Sequence, residues 1–453
     1  MAGLAEQMDA GSSTGGESLG VRARIGPAAT RDGGRLGWLF AVLLLCASCD
    51  TCPGAIVVDS QGGGDHVTIQ EGLNAATTGD TVLVMPGTYY ETLTFSGPTP
   101  GGVTLLGAEG PGVTTVDGQG LLGSPLLSLN YTYYGFTVTG LTFANGNSTV
   151  EGAAIRCYSG AVSVVGNVIR DNEVADPALG GAIAVMYPEG EPSLIEANDI
   201  YGNRAPGAAG ILVYGSSYAP MTTISHNDVH GNTVFGSGIW NRGGGIGVWN
   251  TRATLEGNSI ASNQAWYGAG VDLLYATPAT VAGNSFTGNI AGNSGGGIRV
   301  DGTDVLIEGN VFTDNQGARA GALWGHGSDG DSCVVVDNVF YGNTAADSVS
   351  IDFFVGVSPR FTHNYLGDNC AIQLRAPYFE YVPGDTFRCK HNWWGTTDPA
   401  EISARVYDCS DSGDRLCVDY SLWCENVSCS GGVTGVGSTE PVSWGELKSL
   451  YAR

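Results

Sequence analysis

The chain has 453 residues, a formal charge of −25 and only two lysines, Lys390 and Lys448. That balance weighs against nucleic acid and anionic membranes as partners, because both recruit clustered positive charge. Seventy-two glycines beside a 42% hydrophobic content argue against wholesale disorder and for many short strands joined by tight turns.

Residues 36–45, LGWLFAVLLL, form an apolar run too short to span a bilayer. Arg22, Arg24, Arg31 and Arg35 precede it and CASCDTCPGA follows, the order of charge, apolar run and small residues found in a secretory signal. Residues 1–55 are therefore expected to be an export segment, and the mature chain to be secreted or held at a bacterial cell surface or outer membrane. The stretch before Arg35 is long for such a segment, so translation is open to a start downstream of Met1. A lipidated Cys49 is the alternative, although Cys46 stands where a lipidation signal prefers leucine.

The next region, 66–95, opens with TIQEGLNAA, which predicts a short amphipathic helix with Ile69, Leu73 and Ala76 on one face. DTVLVMPGTYYE predicts a buried strand and a turn at Pro86-Gly87. A helix laid over the first turn of a repeat array would shield the open end of its core. Residues 102–120 and 135–147 supply further, less regular repeats.

From residue 166 onward one pattern recurs: GNVIRDN, ANDIYGN, HNDVHGN, GNSIASN, GNSFTGN, GNVFTDN, DNVFYGN and HNYLGDN, with HNWWGTT as a degenerate ninth copy. The first asparagines (167, 198, 227, 258, 284, 310, 338, 364 and 392) lie 26 to 31 residues apart. A small-small-aliphatic step precedes each, as in Ala154-Ile155 and Gly297-Ile298. Alternating apolar residues and Gly/Asn turns at this period predict three short strands per repeat, the coil of a parallel β-helix. Stacked asparagine amides would then bond from coil to coil, satisfying groups otherwise buried unpaired. His226, His363 and His391 each precede a ladder asparagine and read as turn residues rather than metal ligands.

With these features the chain resembles the right-handed parallel β-helix, or pectin-lyase-like, superfamily of secreted bacterial proteins. The resemblance rests on the 66–95 head and the repeats, and covers roughly residues 56–425. It implies an all-β, single-stranded solenoid of about a dozen coils with an N-terminal capping helix. Members include polysaccharide lyases, hydrolases, esterases and non-enzymatic surface proteins. Lyases of this kind use Lys or Arg as base with Ca²⁺ on the uronate. The chain's acidity could host Ca²⁺, but no lysine precedes Lys390. SIDFFVG (350–356) faintly echoes the esterase strand, with Asp352 in the nucleophile's place, but the partner motifs are missing.

Alternation places a column of residues outward after each inward aliphatic: Arg156, Ala184, Leu212, Gly247, Asp272, Arg299, Trp324, Asp352 and Gln373. Two residues on lies a second column: Tyr158, Met186, Tyr214, Trp249, Leu274, Asp301, His326, Phe354 and Arg375. Asp272, Arg299, Asp301, Trp324, His326 and Asp352 concentrate polar and aromatic groups on four adjacent coils, the expected ligand site for a sugar chain. The competing reading makes Asp272 and Arg299 a surface ion pair of little consequence.

Six cysteines, Cys370, Cys389, Cys409, Cys417, Cys424 and Cys429, are expected to form disulfides at the end of a domain spanning 56–430. Zinc lacks the paired spacing it needs there, and Cys157 reads as a core residue. Residues 431–453 are expected to be a linker and short tail, Ser443 and Glu446 forming a capping box. The expected role is a monomeric, extracellular polysaccharide-binding protein. The alternatives are a polysaccharide lyase or hydrolase and a purely structural or adhesive surface protein.

Overall fold

The computed structural model describes residues 54–97, 102–236, 239–327, 332–353, 358–369, 371–376, 386–412 and 415–424. The chain divides into two units, Met1–Cys52 and Pro53–Arg453, and every described residue falls in the second. The export run, the 431–453 tail, Cys370 and Cys429 lie outside the described residues.

One coil shows the plan. Ile155–Tyr158 lies in sheet I, Ser163–Val165 in sheet II and Val168–Arg170 in sheet III, followed by the two-residue strand Glu173–Val174 in sheet IV. Repetition builds four sheets of 12, 12, 11 and 8 strands, parallel throughout, over about 12 turns. The expected three strands per coil are thus joined by a fourth, because the chain stays extended for two residues beyond the second asparagine.

Inward side chains stack. Ile155, Ile183, Ile211, Ile246, Val271, Ile298, Leu323 and Ile351 are fully buried in consecutive coils of sheet I. Each such side chain contributes about 1.5–3 kcal/mol when buried. Phe286, Phe312 and Phe340 lie face to face, with centroids 4.7 and 4.8 Å apart. Gly297 explains one repeated glycine: a Cβ there would stand 2.8 Å from Phe312 and 2.6 Å from the carbonyl of Ala322. The smallest residue lets ring and backbone approach.

Two asparagine ladders run the length of the repeats. Asn198 Oδ1 accepts from the backbone N–H (3.0 Å) and side-chain amide (3.2 Å) of Asn167, while its own amide donates to Val164 O at 2.8 Å. The same contacts recur to Asn392, and a parallel set joins Asn172 through Asn369. His226, His363 and His391 occupy left-handed turn positions, at φ 54°, 59° and 59°.

At the N-terminal end, helix α1 (Ile69–Ala75) lays Ile69 and Leu73 on the first coil. Thr68 caps it, and Glu91 accepts from the free N–H groups of Ile69 (2.9 Å) and Gln70 (3.0 Å). At the other end Cys409 and Cys417 form a disulfide and Cys424 is also disulfide-bonded. Cys389, expected in a bridge, is instead a free thiol fully buried in the core, as Cys157 is. Among the described residues no helix is long and apolar enough to cross a membrane.

Candidate functional site

Sheet I carries both outward columns. Its register pairs Asp272 with Arg299, Arg299 with Trp324, Trp324 with Asp352, and Asp301 with His326. The last step differs from expectation. Arg375, not Gln373, pairs with Asp352, because the chain between these strands is offset by two residues from the repeat.

The polar part of the column is not an open surface. Asp272, Arg299, Trp324 and Asp352 are buried, and only Asp301 and His326 reach solvent in part. A roof makes the difference. Arg299 is sandwiched between the rings of Tyr267 (4.9 Å) and Trp324 (5.0 Å), and Arg242 lies against Tyr267 and Trp240. Asp272 accepts from Arg299 (3.0 Å) and from the indole N–H of Trp249 (3.0 Å), with Arg242 at 3.8 Å. Arg299 also binds Asp301, whose other oxygen meets His326 Nδ1 at 2.8 Å.

The chain Trp249–Asp272–Arg299–Asp301–His326 is therefore a buried ion network and not the little-consequence surface pair. Its electrostatics follow from position. Burial pushes the Asp272 carboxyl up against the opposing pull of Arg299 and Arg242. At Asp301 burial acts the same way, but the His326 hydrogen bond and Arg299 outweigh it and hold the carboxyl below the usual range. Asp352 belongs to a different group: it meets Arg375 at 3.1 Å and Arg415 at 4.0 Å, and burial raises its pKa. The structure thus gathers five of the six expected residues, while Asp352, on the strand beside Trp324, pairs instead with Arg375 and Arg415.

A second feature of sheet I was not singled out by sequence reasoning. Tyr131, Tyr158, Tyr187 and Tyr214 come from four successive coils and touch edge to face, with centroids 6.5, 5.6 and 5.4 Å apart. Tyr131 is 48% exposed and Tyr187 41%. Both are in the left-handed region, at φ 61° and 52°, as is exposed Tyr275 at φ 50°. A bulky L-residue pays about 1–2 kcal/mol to sit there, where glycine or asparagine pays little; Asn250 and Gly302 fill the same corner on other coils. Beneath the row, Arg156 lies 4.6 Å from the Tyr158 ring.

The connections from sheet I to sheet II lengthen beside this row. Residues 131–136, 187–193 and 215–221 stand where other coils use only 250–252 or 302–304. Tyr187, Pro188, Glu189, Gly190, Ser216, Tyr218, Ala219 and Pro220 enclose an open cleft of about 480 Å³.

Metal-ligand geometry occurs elsewhere. On the outer face of sheet III, Asp199, Asp228 and His230 hold their ligand atoms within 4.8 Å of one another. Two carboxylates and an imidazole do not supply the six to eight oxygens that Ca²⁺ takes, and His230 is already bonded to Asp199 at 3.1 Å.

A family model for the right handed beta helix region matches residues 195–371. Together with the parallel sheets, this defines the fold as a right-handed parallel β-helix. Among solved structures, the chain is similar to a mannuronic acid specific polysaccharide family 6 lyase from human gut microbiota. Identity is 14% and the TM-score 0.46, over 75% of this chain and 79% of that one. It is similar also to the catalytic unit of an alpha-1,3-glucanase from Streptomyces thermodiastaticus, at 15% identity and TM-score 0.41, over 84% and 72% of the two chains. A family 6 polysaccharide lyase from Pseudopedobacter saltans gives 13%, 0.34, 86% and 98%. At these values the likenesses carry no argument about activity. No curated protein matches the sequence.

Proposed function

We propose that this β-helix binds an extracellular polysaccharide along the rim of sheet I, with the tyrosine row as its platform. The observation that carries the reading is Tyr131 and Tyr187, large rings held exposed on strained backbone where the fold itself would accept asparagine or glycine. Aromatic faces take the C–H faces of sugar rings while Tyr hydroxyls bond sugar hydroxyls. Coils spaced about 4.8 Å apart offer one ring per coil over four coils, a repeating surface for a repeating chain.

The lyase alternative gains nothing from Arg299. A base or carboxylate clamp must be available to substrate, whereas this guanidinium is committed to Asp272 and Asp301 and closed between two rings. Binding is tested by electrophoresis through gels containing soluble polysaccharides. The wild-type chain is expected to be retarded by at least one polymer. The double variant Tyr131→Asn/Tyr187→Asn is expected to lose that retardation by about tenfold per ring in affinity. Equal retardation of the two proteins would refute the reading.

A further inference from the structure

The cleft beside the tyrosine row has a chemistry of its own. Its lining holds two tyrosines, two prolines, an alanine, a serine, a glycine and one carboxylate, Glu189, and no basic residue. Its volume of about 480 Å³ falls within the ~300–1,000 Å³ typical of small-molecule sites. Tyr218, 95% exposed, and Tyr187, 41% exposed, both line it.

The walls are fixed to the body of the helix. Glu191 N–H donates to Tyr133 O at 3.0 Å and Glu189 N–H to Gly160 O at 3.3 Å, anchoring one wall to the preceding coils. Gly190 is required there: at φ 80° a Cβ would lie 2.1 Å from the same Tyr133 carbonyl. The other wall is closed by Ala219 N–H to Ser216 O (2.9 Å) and Tyr218 N–H to Ser216 Oγ (3.3 Å). A cleft held this way loses little freedom on binding.

Charge decides what fits. Exposed Glu189 and Glu191 belong to one wall. Of the guanidiniums nearby, Arg156 lies under the Tyr158 ring and bonds Asn130, and half-buried Arg252, whose carbonyl accepts from Thr222 N–H, does not line the cleft. Farther along the sheet, Arg242, Arg299 and Arg375 face carboxylates. A uronate brought to the row would meet like charge on a chain already carrying −25. A sugar without a carboxylate would stack on Tyr187 and Tyr218 and give its hydroxyl or amino hydrogens to Glu189. We infer that this cleft seats a residue of a carboxylate-free glycan, neutral or amino-substituted, and that polyuronates are not the ligand. The inference rests on the polysaccharide-binding reading above and narrows its substrate class.

The test is gel retardation in EDTA against a neutral α-glucan, a neutral β-glucan, a galactomannan, chitosan, alginate and polygalacturonate. Wild type, Tyr218→Ala, Glu189→Gln and Tyr131→Asn/Tyr187→Asn are run together, with thermal melts to verify folding. The expected result is retardation by a neutral polymer or chitosan and none by the two polyuronates. Affinity is expected to fall about tenfold in Tyr218→Ala. Glu189→Gln weakens an amino-sugar ligand more than a neutral one. Retardation by alginate or polygalacturonate alone, lost in the Tyr131/Tyr187 variant, would overturn this inference while leaving the binding reading intact. Retardation by a neutral polymer or chitosan that survives both cleft variants would overturn the cleft's role. No retardation by any polymer would overturn both.

Discussion

Two stretches of one sheet, built on the same repeat, end in opposite states. In the coils from 127 to 221 the outward edge of sheet I is largely aromatic, its one guanidinium, Arg156, lying against the Tyr158 ring, and Tyr131 and Tyr187 stand exposed on strained backbone. In the coils from 246 to 326 the outward column is charged, yet it is roofed by Arg242 and Tyr267, and its carboxylates Asp272 and Asp301 are paired within the protein. Between them, Ala184, Met186, Ala208, Leu212 and Trp249 form a small second core on the outside of the sheet. The lesson is that polarity on an outward face does not mark a binding surface. Charges paired within the protein stabilise the fold; under the proposed reading, groups kept exposed at a conformational cost mark the surface where a partner is met.

The largest expected effect is at Arg299. Replacing it by alanine leaves Asp272 buried without its main counter-charge, and the expected loss is about 3–5 kcal/mol, read by chemical denaturation. Polysaccharide retardation of the fraction that remains folded is expected to be unchanged. A stable Arg299→Ala protein that no longer binds would exchange the roles of the two stretches.

A smaller effect comes from the ladder beneath both. Asn258→Ala removes the acceptor for two Asn227 donors and the donor to Ile224 O. The expected cost is about 2–3 kcal/mol, with binding again retained.

Acid sharpens the contrast further. The Asp301 carboxyl is held below 3.8, so its stabilising contribution is complete above that value and is lost as pH falls through the lowered pKa. Asp272, with its pKa raised, works in the opposite direction: its contribution is present below 3.8 and lost as pH rises through the folded-state value. The melting-temperature gap between wild type and Asp301→Asn is therefore expected to be largest near neutrality and to close in strong acid. A gap that widened on acidification would contradict the assigned network.

The smallest expected change is the most telling about strain. Tyr131→Asn relieves a left-handed backbone cost of about 1 kcal/mol and gives up ring contacts with Tyr133 and Tyr158 of similar size. Its stability is expected to stay within about 1 kcal/mol of wild type.

Much of this architecture was legible in the residues. The 26–31-residue asparagine period fixed the coil, and the Ile298-Arg299-Val300-Asp301 alternation placed Arg299 and Asp301 outward on neighbouring coils of Asp272 and His326. The roof was not legible. Arg242 and Tyr267 belong to other parts of the coil, and their approach to Arg299 depends on how the connection through 239–245 folds back. Tyr131, Tyr187 and Tyr275 escaped for a different reason. Each follows the second outward column by one residue, where strict alternation points inward, and the left-handed corner reverses that direction. Arg375 was misplaced because the two-residue offset after Asp352 is invisible to a repeat aligned on small-small-aliphatic steps.

The central claim is that the tyrosine rim, not the charged stretch, meets the ligand. It is tested most directly by measuring, on one polysaccharide gel that retards the wild type, the mobilities of Tyr131→Asn/Tyr187→Asn and Asp301→Asn. The rim variant is expected to run free while Asp301→Asn is retarded like wild type. Free migration of Asp301→Asn with full retardation of the rim variant would contradict it.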